Sequence, residues 1–201
     1  MKLYYVPRTR AIRPRWLLEE LGAPYELVRL DPARQENKTP AYLAIHPRGS
    51  VPALVDGDAV MFESAAILLY LADRFADKNL APKPSTPARA RYYQWMIFAV
   101  TELEPHVATF GNHTQRLPEA ERAPAVAAAA RSRFVENARL VAAALAGRDF
   151  LLGDAFTAAD VMMASVLGWA ERVGLLADLP DLAAYARRCA DRPAAKRARA
   201  D

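Results

Sequence analysis

Ser50-Val51-Pro52-Ala53-Leu54-Val55-Asp56-Gly57-Asp58-Ala59-Val60-Met61-Phe62-Glu63-Ser64 decides how the first part of this chain folds. Pro52 to Val55 and Ala59 to Phe62 are β-rich runs flanking Asp56-Gly57-Asp58, where Gly57 supplies the positive φ of a tight hairpin. The hairpin makes the first strand internal, yet Pro52, which cannot donate to a ladder, stands at its start. A trans Val51–Pro52 bond would simply begin the strand. A cis bond would turn the Val51 backbone outward and offer its N–H and C=O to an extended peptide, as a strand edge does. The residues leave both open. At the far end, Glu63-Ser64 marks a strand-to-helix junction where Ser64 suits an N-cap. A helix N-terminus with a hydroxyl also favours a carboxylate, because its unpaired amides and dipole are positive. With Glu63 beside it to receive an ammonium, the pair matches the two charges of an α-amino acid head group.

Upstream, Leu3 to Val6 reads as a strand, Ile12 to Leu21 as a helix closed by Gly22, and Glu26 to Leu30 as a second strand. Thr39-Pro40 gives an N-cap with proline at the first helical position, opening a short helix that ends before Pro47. Downstream, Ser64 to Phe75 is a strongly apolar helix. The order β-α-β-α-β-β-α is that of a thioredoxin-like fold. Pro82-Lys83-Pro84-Ser85-Thr86-Pro87 forbids helix and favours an extended connector. Beyond it only helical periodicity remains. One helix runs over Ala88 to Phe110, bent or broken near Pro105. An alanine-rich one runs over Glu119 to Leu145. Another, through Ala170, opens on Phe156-Thr157-Ala158-Ala159-Asp160-Val161, a capping box between Thr157 and Asp160 with a staple from Phe156 to Val161. The expectation is an α/β thioredoxin-like domain over residues 1–77, a linker over 78–87 and an all-α domain over 88–201.

A chain of 201 residues lets either domain bury a core. Met1 to Val6 is only strand-length before Pro7 and is followed by Arg8 and Arg10, so no signal peptide is expected. The best apolar run, Ala65 to Ala72, stops at Asp73, so no bilayer span and no membrane partner is expected. A single cysteine, Cys189, excludes an internal disulfide framework and any Cys-x-x-Cys pattern, and fits a reducing compartment, the cytoplasm by default. The net charge of +4 arises from Arg187, Arg188, Arg192, Lys196, Arg197 and Arg199. Without interleaved aromatics, that segment reads as a frayed, solvated terminus rather than a nucleic-acid tail. His46, His106 and His113 show no metal-site spacing.

The third position that carries chemistry is Tyr5-Val6-Pro7-Arg8-Thr9-Arg10. In a thioredoxin the redox cysteines stand here, at a helix N-terminus that stabilises thiolate. This chain has none. Thr9 offers a hydroxyl, which can donate a hydrogen bond to a thiolate arriving with a ligand. A free thiol with a pKa of about 8.5 is mostly protonated at neutrality, and lowering that value by one multiplies the nucleophile about tenfold. Pro14 pushes the regular helix later than Thr9, which places Thr9 in a loop.

Tyr4-Tyr5-x-Pro7, Trp16-Leu17-Leu18-Glu19-Glu20-Leu21-Gly22, Val51-Pro52-Ala53-Leu54, Glu63-Ser64-x-Ala66-Ile67 and Tyr70-Leu71, with the Thr157 capping box and the domain order, resemble the cytosolic glutathione transferases. The likeness is to their bacterial members and covers essentially the whole chain. It implies a glutathione site on the first domain at Ser50, Val51 and Pro52. There the Val51 backbone takes the cysteinyl part, Glu63 with Ser64 the γ-glutamyl head and Lys38 the glycine carboxylate. It further implies an electrophile pocket on the long helix of the second domain, at Phe98, Thr101, His106 and Phe110. A homodimer, a detoxifying role and no metal are implied as well. Beta-class relatives carry a cysteine where Arg10 stands, so their mixed-disulfide chemistry is absent here. The sulfur is then met by Thr9, by Tyr5 at the end of the first strand, or by the Arg10 cation. The leading expectation is conjugation of the glutathione thiolate to small apolar electrophiles. Its alternatives are glutathione-dependent disulfide reductase or peroxidase activity, and a non-catalytic glutathione-binding module.

Overall fold

Four short strands make one sheet: β1 (Lys2–Tyr5), β2 (Glu26–Arg29), β3 (Ala53–Asp56) and β4 (Ala59–Phe62), in the order β2-β1-β3-β4. This is a computed structural model, and it describes residues 1–200. Asp201, the last residue of the expected helical domain, lies outside them. β1 runs parallel to β2 and antiparallel to β3, which pairs antiparallel with β4 through the expected hairpin. Gly57, at φ 58°, turns that hairpin, with Asp56 paired to Ala59. Side chains alternate across a sheet. Leu3 and Leu54 therefore share one face and are fully buried, where α1 (Ile12–Leu21) and α3 (Ser64–Arg74) pack on the strands and on each other. Tyr4, Ala53 and Phe62 form the next row on the opposite face. There Tyr42, from α2 (Pro40–Leu43), packs with Leu30, Ala53, Val6 and Val51.

The chain divides into two units, one of Met1–Leu80 with residues 191–200 and one of Ala81–Ala190. The division falls just before the proline-rich connector, but the basic terminus departs from the expected fraying. Residues Pro193–Arg199 form a helix, labelled α9 below, whose Ala194, Ala195 and Ala198 are buried against α1. Arg192 grips Glu20 through two bonds of 2.7 and 2.8 Å, Arg197 reaches Glu19 at 2.8 Å, and the Arg199 guanidinium lies 5.2 Å from the Trp16 ring. The basic charges read as solvated are thus partly neutralised by Glu19-Glu20, while the alanines between them give the helix an apolar face. Numbers of charges say nothing of this spacing.

The second unit is helical throughout. Its elements are α4 (Pro87–Phe98), α5 (Glu104–Gly111), α6 (Pro124–Leu145), α7 (Ala158–Arg172) and α8 (Pro180–Ala190). α5 packs on α6, and α7 packs on α8 and α4. Tyr92, Met96, Phe134, Met162, Leu167 and Tyr185 fill the core. The expected break near Pro105 is a π-helical turn over Ala99–Leu103, ending where α5 begins with Pro105 in its first turn. Proline lacks an amide and its ring collides with the carbonyl four residues earlier, so a widened turn just before it relieves both. α6 starts at Pro124 rather than at Glu119. The preceding segment is tied down instead by Arg122, which donates to the Leu117 and Gln115 carbonyls.

Candidate functional site

The register row Tyr4–Ala53–Phe62 fixes which residues meet at the end of the sheet. One step further along these strands lie Tyr5 and the 6–10 loop, Pro52 with Val51, and Glu63 with Ser64. The three sequence-predicted positions are therefore brought to one edge of one sheet. The Val51–Pro52 bond is cis. Two non-glycine residues at this edge, Arg8 and Glu63, hold left-handed backbone at φ 59° and 72°. Such conformations cost an L-residue about 1–2 kcal/mol and cluster at binding sites.

Thr9 lies before α1, in a loop as Pro14 required. Its hydroxyl donates to the Val6 carbonyl at 2.7 Å and accepts the Ala11 amide at 3.3 Å. Thr9 and Arg10 also open the helix through backbone bonds from Ile12 and Arg13. Tyr5 is placed differently. It is only 6% exposed, with the Arg15 guanidinium 5.3 Å over its ring. It thus serves the core rather than offering an open phenol, while Arg10 is exposed.

The loop that carries Val51 is held from two sides. The Tyr42 hydroxyl donates to the Ser50 carbonyl at 2.6 Å; burial, with Tyr4 nearby, pushes its pKa up to about 12, so it stays a donor. Asn37 donates to the Gly49 carbonyl and the Lys38 amine to the Arg48 carbonyl, at 2.8 and 2.9 Å. Lys38 therefore reaches this loop. Gly49 has φ 62°, and a Cβ there would lie 2.4 Å from the Asn37 carbonyl oxygen, so only glycine fits. His46, 5% exposed, stacks on Phe62 at 4.6 Å and ties the loop to the residue before Glu63. Beside the strand ends, a cleft of about 350 Å³ is lined by Val6, Pro7, Leu30, Asp31 and Glu36.

Ser64 is the first residue of α3, 5% exposed, and its hydroxyl accepts a hydrogen bond of 3.1 Å from Arg13, itself 2% exposed. Arg13, Tyr42, Asn37 and Gly49 were not singled out in the sequence. Two arginines flanking Pro14, directly ahead of the apolar Trp16-Leu17-Leu18 run, were the signal available for Arg13.

In the helical unit, Phe98 closes α4, Thr101 lies in the π-helical turn, and His106 and Phe110 stand one turn apart on α5. Phe98, His106 and Phe110 are half-buried. Thr101 is exposed, with its hydroxyl donating to the Ile97 carbonyl at 3.1 Å. The capping box at Thr157 is present, and more is built on Asp160 than a cap. Its buried carboxylate accepts from the Thr157 amide and hydroxyl, the Leu151 amide and the Tyr185 hydroxyl, all within 2.7–3.0 Å. Among the described residues, no cluster of three His, Cys, Asp or Glu that could hold a metal ion is found, and no helix is long and apolar enough to cross a membrane.

Comparison with known proteins gives this arrangement its family. Residues 1–73 match the model of the glutathione S-transferase N-terminal domain and residues 124–188 that of the C-terminal domain. Glutathione S-transferase GstA of Escherichia coli O157:H7 is 34% identical over 197 residues, covering 96% of this chain and 94% of that one. Glutathione S-transferase 3 of Zea mays is 31% identical over 201 residues, covering 96% and 90%. Among solved structures, the ternary complex of BphK, a bacterial glutathione transferase, superposes with a TM-score of 0.86 at 32% identity, covering 99% and 98%. A sphingomonad glutathione S-transferase complexed with glutathione gives 0.84 at 33%, covering 99% and 97%. The chain belongs to the glutathione S-transferase family. It has that family's fold and is an enzyme of that class.

Proposed function

We propose that the first unit binds glutathione and that the enzyme transfers its thiolate to a small apolar electrophile. The observation that carries this reading is the meeting of Thr9, Val51–Pro52 and Ser64 at one edge of one sheet, in a chain whose single cysteine is buried elsewhere, on α8. The sphingomonad neighbour, solved with glutathione, supports it. The tripeptide lies along Ser50, Val51 and Pro52 and pairs its cysteinyl backbone with Val51. Its amino-acid head meets Glu63 and Ser64, and its glycine carboxylate takes the Lys38 amine from the Arg48 carbonyl. Thr9 is the activating group, because Tyr5 is buried. Its proton leaves the Val6 carbonyl for the sulfur, since a thiolate is a charged acceptor and makes the stronger bond. Arg10 adds positive potential. Residues 1–77 thus hold glutathione and 78–87 form the linker. Phe98, Thr101, His106 and Phe110, in the helical segment that follows, receive the electrophile. We assign the enzyme to the cytoplasm as a detoxifying homodimer on the same family resemblance.

Thr9→Val removes the hydroxyl at constant shape. It should lower kcat/KM for an activated aryl halide about tenfold to a hundredfold, the worth of one hydrogen bond to a charged group. The Kd for glutathione should stay within about threefold, and Thr9→Ser should retain most of the rate. Unchanged turnover in Thr9→Val discredits the role of Thr9. Rapid reduction of a glutathione mixed disulfide with little conjugation would replace transfer by disulfide chemistry. Failure to bind immobilised glutathione would remove the reading altogether.

A further inference from the structure

Arg13 lies deeper than any other arginine at this edge, and a guanidinium is costly to bury unless its position does something for the structure or the ligand. Its Nη1 donates to the Ser64 hydroxyl at 3.1 Å, across 51 residues of sequence, with both side chains buried. The chemistry of the two partners makes this contact directional. A guanidinium has only donors, while a serine hydroxyl has one proton and two lone pairs. Arg13 therefore occupies a lone pair of Ser64 and can never take its proton. The backbone beside Ser64 offers the wrong polarity too, because the first turn of α3 presents amide donors. Among the main-chain acceptors there, the Glu63 carbonyl is already engaged by the Ile67 amide. The Ser64 proton is left facing whatever acceptor enters the site.

We propose that Arg13 is a positioning residue that fixes Ser64 as a hydrogen-bond donor to an incoming carboxylate, so that the site selects ligands carrying the α-carboxylate of an amino-acid head group. This rests on the glutathione reading above and deepens it, since the carboxylate is that of the γ-glutamyl residue. Without Arg13 that lone pair is open to other donors, the hydroxyl is no longer held in one rotamer, and a carboxylate meets it in the donor orientation only part of the time. The guanidinium charge, behind the hydroxyl and near the positive end of α3, adds to the preference for an anion.

The test compares glutathione with its analogue lacking the γ-glutamyl α-carboxylate, γ-aminobutyryl-cysteinyl-glycine, by calorimetric Kd on the full-length enzyme. The wild type should bind glutathione more tightly by about tenfold or more, as expected for a hydrogen bond to a charged group. In Arg13→Gln and in Ser64→Ala that ratio should fall to within about threefold of unity. The double variant should be no worse than either single one, because the two residues act as a unit. Arg13→Lys, which keeps a donor and the charge, should recover most of the ratio. A purely structural role predicts equal losses for both ligands and additive effects, and either result overturns the proposal. So does Arg13→Lys losing discrimination as fully as Arg13→Gln. If Arg13→Gln does not fold, Ser64→Ala and Arg13→Lys carry the comparison, and an unchanged ratio in Ser64→Ala overturns it. A wild type that binds neither peptide refutes the glutathione reading and this inference together, whereas a wild type that binds both equally refutes the inference alone.

Discussion

His46 shows at the scale of one residue how a site loop is held without touching the chemistry. Burial against Phe62 pushes its imidazole pKa below the usual 6.5, with Glu63 pulling partly back. The folded protein therefore prefers the neutral ring, while the unfolded chain takes up the proton more readily. This contribution to stability is complete above about pH 6.5 and is lost as pH falls through the lowered folded value. Urea midpoints at pH 7.5 and 5.5 should drop further for the wild type than for His46→Gln, and equal drops would exclude His46 as the titrating group. Gly49 is the second such residue. Gly49→Ala forces a left-handed alanine, worth about 1–2 kcal/mol, and drives its Cβ to 2.4 Å from the Asn37 carbonyl. The loop must shift and carry Val51 with it, so glutathione affinity should fall about tenfold or more, read by calorimetry. Affinity and stability both unchanged would show that the loop absorbs the methyl. That Thr9, Glu63 and Ser64 fall at element junctions was legible, because the strand and helix limits around them are set by local sequence. Arg13 was not, since its meaning depends on a partner 51 positions away.

Elements whose limits are set by local chemistry were readable, and those set by packing were not. Thr39-Pro40 caps α2, with the Tyr42 amide donating to the Thr39 hydroxyl, and Thr157 with Asp160 opens α7. Pro105 marks the broken helix, although periodicity could not say that the break is a π-helical turn of five residues. α6 loses its expected first five residues because Pro124 is the better first helical position, and Arg122 ties the segment before it. Asp160 lets the scale be tested. Burial raises its carboxyl pKa, while the amides of Leu151 and Thr157 and the hydroxyls of Tyr185 and Thr157 pull it back. Asp160→Ala strands four buried donors, and each unmade bond in such a place costs about 1–3 kcal/mol. The variant should lose several kcal/mol in chemical denaturation, with the helical signal of α7 and α8 lost first. A loss below 1 kcal/mol would mean that these donors find other partners.

The whole chain was legible as two folding regimes, because strand alternation stops near residue 77 and proline-rich sequence follows. The return of α9 to the first unit was not, since a basic, alanine-bearing segment looks like a solvated tail until Glu19, Glu20 and Trp16 are known to lie beside it. The same limit applies to the site. Its three segments could be nominated separately, but only the register Tyr4–Ala53–Phe62 brings them to one edge. The account therefore stands on a sulfur placed there beside a hydroxyl, with no protein thiol. The most direct measurement is the ultraviolet thiolate titration of glutathione bound to the wild type and to Thr9→Val. The bound thiol should titrate well below the ordinary thiol value of about 8.5 in the wild type and return toward it in the variant. A bound thiol that titrates as in free solution, or one equally acidified in Thr9→Val, would contradict it.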